Sequence, residues 1–269
     1  MKNSTYAAAN DRGRTEMVDR NRELRGKVAI ITGSARNIGQ VTAEELARAG
    51  ASVVINGVQD KSACEAVAAG ISDAGGKAIS VMADISKQQG VDHLTAETLR
   101  AFGGIDILIL NAATRERRHI LDYTFDTYVK HRAVALDGGF RMSIACVPYM
   151  IERGGGSVIG IHGMQAYTAA YTKLPTVKDA MGGMLRGMAT DLGPHGITCN
   201  MTVVGHFDTN RESGSGDVEI VPVADDGIPM GHRGVPQDMA DTIRFLVGPF
   251  ARYISGQTIH LNGGILMPH

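Results

Sequence analysis

The chain has 269 residues, 43% of them apolar and 20% charged, with a formal net charge of −1 at pH 7. That length and apolar fraction suit one large α/β domain with a substantial core, and the balanced charge implies neither a basic face nor an acidic tail, so no nucleic-acid partner is expected. Three scattered cysteines (Cys64, Cys146, Cys199) give neither a disulfide framework nor a zinc spacing, and the nine histidines show no HExxH-type pairing, so no metal is expected.

No apolar run approaches the roughly 20 residues that span a bilayer, and the N-terminus lacks the apolar stretch of a signal peptide. The expectation is a cytoplasmic protein without a membrane partner. Residues Met1 to Gly26 are polar and rich in Arg and Asn, which reads as a mobile arm. From Lys27 to His269 short apolar runs alternate with longer helical stretches, the pattern of repeated βαβ units in a single domain. The expected strands are Val28 to Thr32, Ser52 to Asn56, Ala78 to Ala83, Ile105 to Asn111, Ser157 to His162, Thr198 to Val203 and Thr258 to Leu261. The fold class is therefore a doubly wound, Rossmann-like parallel sheet. Asn210 to Asp226, full of Gly, Ser, Asp and Glu, reads as an exposed loop, and the wider stretch from about 205 to 232 is placed to cover a ligand at the strand carboxyl ends.

The first strand, with the turn and helix after it, organises the rest. Val28 to Ile31 is a β-branched run suited to burial on both faces, and it breaks at Gly33 into a turn of small residues. Ile38, Val41, Thr42, Glu45, Leu46 and Ala49 then fall near helical spacing, and Gly50 supplies a stop. A strand, a glycine turn and a helix opening at that turn gather unpaired N–H groups and the positive end of a helix dipole. Such a place suits a pyrophosphate. The spacing Thr32-Gly33, Asn37, Gly39 differs from the GxGxxG fingerprint. It resembles the TGxxxGxG turn of the short-chain dehydrogenase/reductase family, with Asn37 at the middle glycine; asparagine is the non-glycine residue that best tolerates positive φ.

The resemblance extends over nearly all of Lys27 to Leu266. Asp84-Ile85 looks like the family's Asp-hydrophobic pair beside the adenine, and Asn111-Ala112-Ala113 like its NAG motif. Asn200 to Thr209 resembles N-x-x-x-P-G-x-x-x-T, with Val204 for the proline and with Gly205 and Thr209 kept. Arg233 to Pro236 and Ile254 to Gly264 resemble the entry to the last helix and the last strand. The resemblance implies a nicotinamide dinucleotide cofactor held by Gly33, Ser34, Arg36, Asn37, Ile38, Gly39, Asn56, Asp84, Ile85, Asn111, Ala112, Lys178, Gly205 and Thr209. At the end of the second strand, where NAD-binding proteins carry an acid for the ribose 2′-hydroxyl, this chain has Asn56-Gly57-Val58. With no acid there and Arg36 in the turn, NADP is favoured over NAD, although Val58 occupies a position that is often basic in NADP-preferring relatives. Arg36 also reads as a solvated turn residue.

In the family a Tyr, its acidity raised by a Lys four residues on, exchanges a proton while hydride moves to or from nicotinamide; a Ser positions the substrate oxygen and an Asn holds a water chain. Counting from Asn200 places the Lys at Lys178 and the Tyr at Leu174. The Ser position falls at Gly163 and the Asn position at Ala135, so three of the four groups are replaced. Tyr171, seven residues before Lys178, matches the Tyr-to-Lys spacing of the family's enoyl-thioester reductases, about 10.5 Å along a helix axis. Pro175, however, fits best as a first helical residue, which puts Tyr171 on the preceding loop. Tyr167 and His162 are competing proton donors, and each of the three also reads as an ordinary packed or hydrogen-bonded residue. Arg115 to His119 reads first as a solvated charged loop and second as an anion site for the substrate. His206 and Asp208 could face the pocket.

The expected function is NADP(H)-dependent reduction of a carbonyl, or of a double bond conjugated to one, in a small molecule. The alternatives are a dinucleotide-binding protein without turnover, acting as a sensor or partner subunit, and a non-redox lyase or dehalogenase on the same fold. The resemblance also implies a homotetramer or homodimer formed through two long helices, Thr124 to Glu152 and Pro175 to Leu192.

Overall fold

The computed structural model describes residues 22–114, 120–164, 167, 176–209 and 227–267. All seven expected runs form strands: β1 Val28–Ile31, β2 Ser52–Gly57, β3 Lys77–Met82, β4 Ile107–Leu110, β5 Gly156–Gly163, β6 Ile197–Val204 and β7 Thr258–Leu261. They make one parallel sheet in the order β3-β2-β1-β4-β5-β6-β7. The helices are α1 Asn37–Arg48, α2 Lys61–Asp73, α3 Gln88–Phe102, α4 Phe125–Arg132, α5 Gly138–Glu152, α6 Thr176–Leu192 and α7 Pro236–Val247.

Strand alternation divides the core into two layers. Ala29 and Ile31 of β1 pack with Leu46, Val67, Ile243 and other residues of α1, α2 and α7. Ile30 faces the other way, into the layer that holds Leu94, Met142 and Leu185 of α3, α5 and α6. Every residue of β1 and β4 is buried, which is why these central strands read as unbroken apolar runs. Chain order reverses between β1 and β4, and in an open sheet the crevice for a ligand lies at that reversal, beyond the strand carboxyl ends.

Three boundaries differ from expectation for identifiable reasons. Asp106, expected inside the fourth strand, lies just before β4. Its carboxylate accepts hydrogen bonds from Lys27 Nζ at 3.0 Å, the Val28 amide at 2.9 Å and Arg153 Nε at 2.9 Å, tying the amino ends of β1 and β4 together. The long helix expected from Thr124 to Glu152 is interrupted at Ala133–Asp137 by a π-helical turn. Arg132 Nε reaches Asp137 Oδ2 at 3.2 Å across that wider turn, a contact between residues five apart. Residues 22–26, assigned to the arm, belong to the domain: Leu24 is buried, its amide bonds to the Ala49 carbonyl at 3.0 Å, and Glu23 pairs with Arg244 on α7. The rest of the arm, the loop 210–226, and Arg115 to His119 lie outside the described residues.

Candidate active site

The turn between β1 and α1 is built from inside. Thr32 is fully buried; its hydroxyl donates to the Ile109 carbonyl at 3.1 Å and accepts from the amides of Asn111 at 3.0 Å and Ala112 at 3.1 Å. The Asn111 side-chain amide donates to the carbonyls of Thr32 at 2.9 Å and Gly33 at 2.8 Å. Each strand end thus satisfies the other's backbone where the ladder stops. Ser34 is buried, donating to the Ile31 carbonyl at 2.7 Å and accepting from the Asn56 amide at 3.0 Å.

Two kinds of backbone freedom shape the outer part of the turn. Gly33 has φ +64° and Asn37 has φ +52°, and Asn37 is the one non-glycine residue with positive φ among the described residues. Asparagine does here what a glycine would otherwise do. Gly39 needs space instead: a Cβ would lie 2.7 Å from the Gly33 carbonyl oxygen and from Asn111 Nδ2. Ile38 is buried beneath the helix start, and the first amides of α1 have no acceptor within the helix.

On the nucleoside side Asn56 has a different role from the direct cofactor contact expected of it. It is buried; its amide nitrogen donates to the carbonyls of Val81 at 3.2 Å and Ala83 at 3.0 Å, while its oxygen accepts from the Gly33 amide at 3.3 Å. Asn56 therefore braces β2, β3 and the turn. The next position has no room for an acid, since a Cβ on Gly57 would run into Cys64 Sγ. Asp84 accepts from the Ser86 hydroxyl at 2.7 Å and the Ser86 amide at 3.0 Å, bonds that hold its carboxyl below the usual carboxylate range against partial burial. Ile85 beside it is buried.

At the other side of the crevice, His162 closes β5 and is 3% exposed. Its Nδ1 accepts from the Gly163 amide at 2.8 Å, so the ring proton sits on Nε2, which donates to Asp179 Oδ1 at 2.9 Å. With both nitrogens engaged inside the protein, His162 offers no edge to a substrate, and this geometry does not suit the proton-donor role expected of it. The Tyr167 ring lies edge-on to His260, with centroids 4.7 Å apart, and 6.0 Å from the His162 ring. Its hydroxyl bonds to Thr258, and burial followed by the nearby Asp179 charge pushes its pKa up, away from the acidity a general acid needs near neutral pH. Tyr167 is thus also poorly matched to proton donation.

Lys178 falls in the first turn of α6. Tyr171 lies outside the described residues, as does Pro175, and the helix begins at Thr176. Gly163 ends β5 and Ala135 sits buried in the π-helical turn. Gly205 brings the chain against β7, where a Cβ would be 2.5 Å from the Asn262 Cα, and its amide bonds to the Leu261 carbonyl at 2.8 Å. Beyond it the Asp208 amide bonds to the Gly234 carbonyl at 2.8 Å and its carboxylate lies 3.4 Å from Arg233; Thr209 is half-buried. Sequence reasoning passed over Asp179, Thr258 and His260. The strand register, which aligns His162 with Val203 and Val203 with His260, is what makes them neighbours, and no local spacing shows it.

The comparisons with known proteins agree with this architecture. A family profile described as enoyl-(acyl carrier protein) reductase matches residues 33–266. L-rhamnose 1-dehydrogenase (NAD(P)(+)) of Azotobacter vinelandii is 32% identical over 249 residues, covering 90% of this chain and 97% of the relative. A 3-oxoacyl-[acyl-carrier-protein] reductase of Synechocystis is 32% identical over 91% of this chain and 98% of its own length. The crystal structure of a short chain dehydrogenase from Burkholderia cenocepacia in complex with NADP superposes with a TM-score of 0.82 at 30% identity, covering 90% of this chain and 99% of that one. With its glycine turn, strand order and these relatives, the chain belongs to the short-chain dehydrogenase/reductase family and is an oxidoreductase by descent.

Proposed function

We propose that this chain is an NADP(H)-dependent oxidoreductase that reduces a carbonyl, or a double bond conjugated to one, in a small molecule, using a proton donor outside the family's usual tyrosine position. The observation that carries the cofactor half is the turn: positive φ at Gly33 and Asn37 and the close packing of Gly39 set the start of α1, whose positive end suits a pyrophosphate. NADP is favoured because Gly57 has no room for a ribose-binding acid. Asp60, which follows β2, already caps α2 through the Ala63 amide at 2.9 Å. Arg36 is exposed at the start of α1, where it would meet a 2′-phosphate.

Bound nicotinamide would supply the hydride. In this reading Lys178 holds the nicotinamide ribose hydroxyls, and Tyr171 gives a proton to the substrate oxygen. Loss of the usual Ser and Tyr, at Gly163 and Leu174, is tolerable in conjugate reduction, in which hydride goes to carbon and proton delivery to oxygen is less demanding.

Mixing NADPH with the protein should blue-shift and quench or enhance its fluorescence, with NADH bound more weakly, and oxidation of NADPH by a panel of ketones and enones should follow. Arg36→Ala is expected to weaken NADPH binding about tenfold, or ~1.4 kcal/mol, and to leave NADH unchanged. A rate that survives Tyr171→Phe intact would reject the donor assignment. Binding without any turnover would favour the sensor reading.

An oligomer belongs to the same proposal. Phe140 and Ile144 on α5 are 51% and 59% exposed and, with Met184 of α6, floor a surface groove of about 700 Å³ edged by Asp92, Asp137 and Arg141. Both charge signs in one patch suit a two-fold contact with a second copy. Ile144→Arg should therefore reduce the mass measured by light scattering, and an unchanged mass would reject this surface as the contact.

A further inference from the structure

We infer that His162 and Asp179 are a pair of positioning residues that fix the first turn of α6, and with it Lys178, to the end of β5. The inference rests on the proposed assignment of Lys178 to the nicotinamide ribose. Its basis is geometric. A helix's first turn has no internal acceptors for its amides and frays unless side chains or packing hold it. Here the first turn of α6 carries Asp179 directly after Lys178, and Asp179 accepts the His162 Nε2–H at 2.9 Å.

His162 is itself locked, being 3% exposed and held at Nδ1 by the Gly163 amide at 2.8 Å. Asp179, by contrast, keeps 44% of its side chain exposed. An acid with that much solvent needs no partner for its own sake, whereas a tie from an immobile imidazole restrains the turn that carries it. The other end of the intervening segment is anchored in the same place. Tyr167 packs on His162 and edge-on to His260, and its hydroxyl bonds to Thr258 of β7. Tyr167 and Asp179 are thereby both tied to the same side of β5 to β7.

The test is a fluorescence titration of NADPH into the full chain, with a thermal melt of each protein alongside. His162→Ala and Asp179→Ala are each expected to raise the NADPH Kd about tenfold, and the double variant no more than about twofold further, because both remove one tie. Asp179→Asn, which keeps an oxygen to accept the Nε2–H, is expected to recover an affinity within about threefold of wild type. Asp191→Ala, the same charge change on an exposed position of α6, should bind like wild type. His162 is buried and its truncation could unfold the chain; the exposed Asp179 side chain keeps the question answerable. The inference is overturned if Asp179→Ala binds NADPH as tightly as wild type, if Asp179→Asn is as weak as Asp179→Ala, or if the single effects multiply. A wild-type chain that binds neither dinucleotide overturns the proposed function and this role with it; tight wild-type binding with an unaffected Asp179→Ala variant removes the positioning role alone.

Discussion

Gly39→Ala is expected to raise the NADPH Kd at least about 100-fold, roughly 2.7 kcal/mol, while leaving a folded protein. The reason is space, since Gly39 is absent from the positive-φ residues. A Cβ there would sit 2.7 Å from the Gly33 carbonyl oxygen, 2.7 Å from Asn111 Nδ2 and 2.9 Å from the Ser34 Cα. Two of those atoms are backbone, and the third is held by the carbonyls of Thr32 and Gly33. None can rotate away, so the turn and the start of α1 must separate, and the amides that would face a pyrophosphate lose their common focus. Titration of NADPH fluorescence against a circular-dichroism melt separates the two effects. A folded Gly39→Ala chain with a Kd within about threefold of wild type would show that the turn does not hold the cofactor.

The second large effect is on stability, at the opposite end of α1. Arg244 of α7 donates to Glu23 twice, at 2.7 and 2.9 Å, and to Glu45 at 2.6 Å. The two acids are 8% and 5% exposed and the arginine 21%. Arg244→Met leaves Glu45 with Gln237 at 3.1 Å and with Arg48, but removes both bonds to Glu23. Stranding a nearly buried carboxylate costs about 3 kcal/mol, the lower end of the range for broken buried pairs because the arginine is partly solvated. For a chain of this size that corresponds to a fall in Tm of about 6–12 °C. Adding Glu23→Gln to Arg244→Met should restore at least about half of the loss, since Glu45 keeps Arg48 and Gln237 and no buried carboxylate is then left unpaired. A single-variant Tm within about 2 °C of wild type would contradict the account.

These two sites show how differently local and distant information enter the fold. The turn was legible because its determinants are consecutive: a β-branched strand, a glycine, an asparagine suited to positive φ, and a second glycine. Gly39's need for space depends on Asn111, which is 72 positions away, yet the strand-end asparagine was itself recognisable from its motif. Asn56 was found but misread. Its place at the end of the second strand suggested, by resemblance, a cofactor contact, whereas its side-chain amide is spent on the carbonyls of Val81 and Ala83. The π-helical turn at Ala133–Asp137 left no trace in hydrophobic spacing, because one inserted residue shifts a pattern no more than ordinary variation does.

By itself the sequence determined the strand and helix order, the parallel sheet, the phosphate-type turn and the lack of an acid at the end of β2, because each depends on neighbours within one strand-turn-helix unit. Only the tertiary structure decided that His162 is locked by Gly163 and Asp179, that Tyr167 bonds toward β7, and that Glu23 belongs to the domain. Those facts depend on register across three strands and on helices packed over them. A side chain's hydrogen-bond partners are set by where the sheet brings distant backbone, and no local spacing carries that distance.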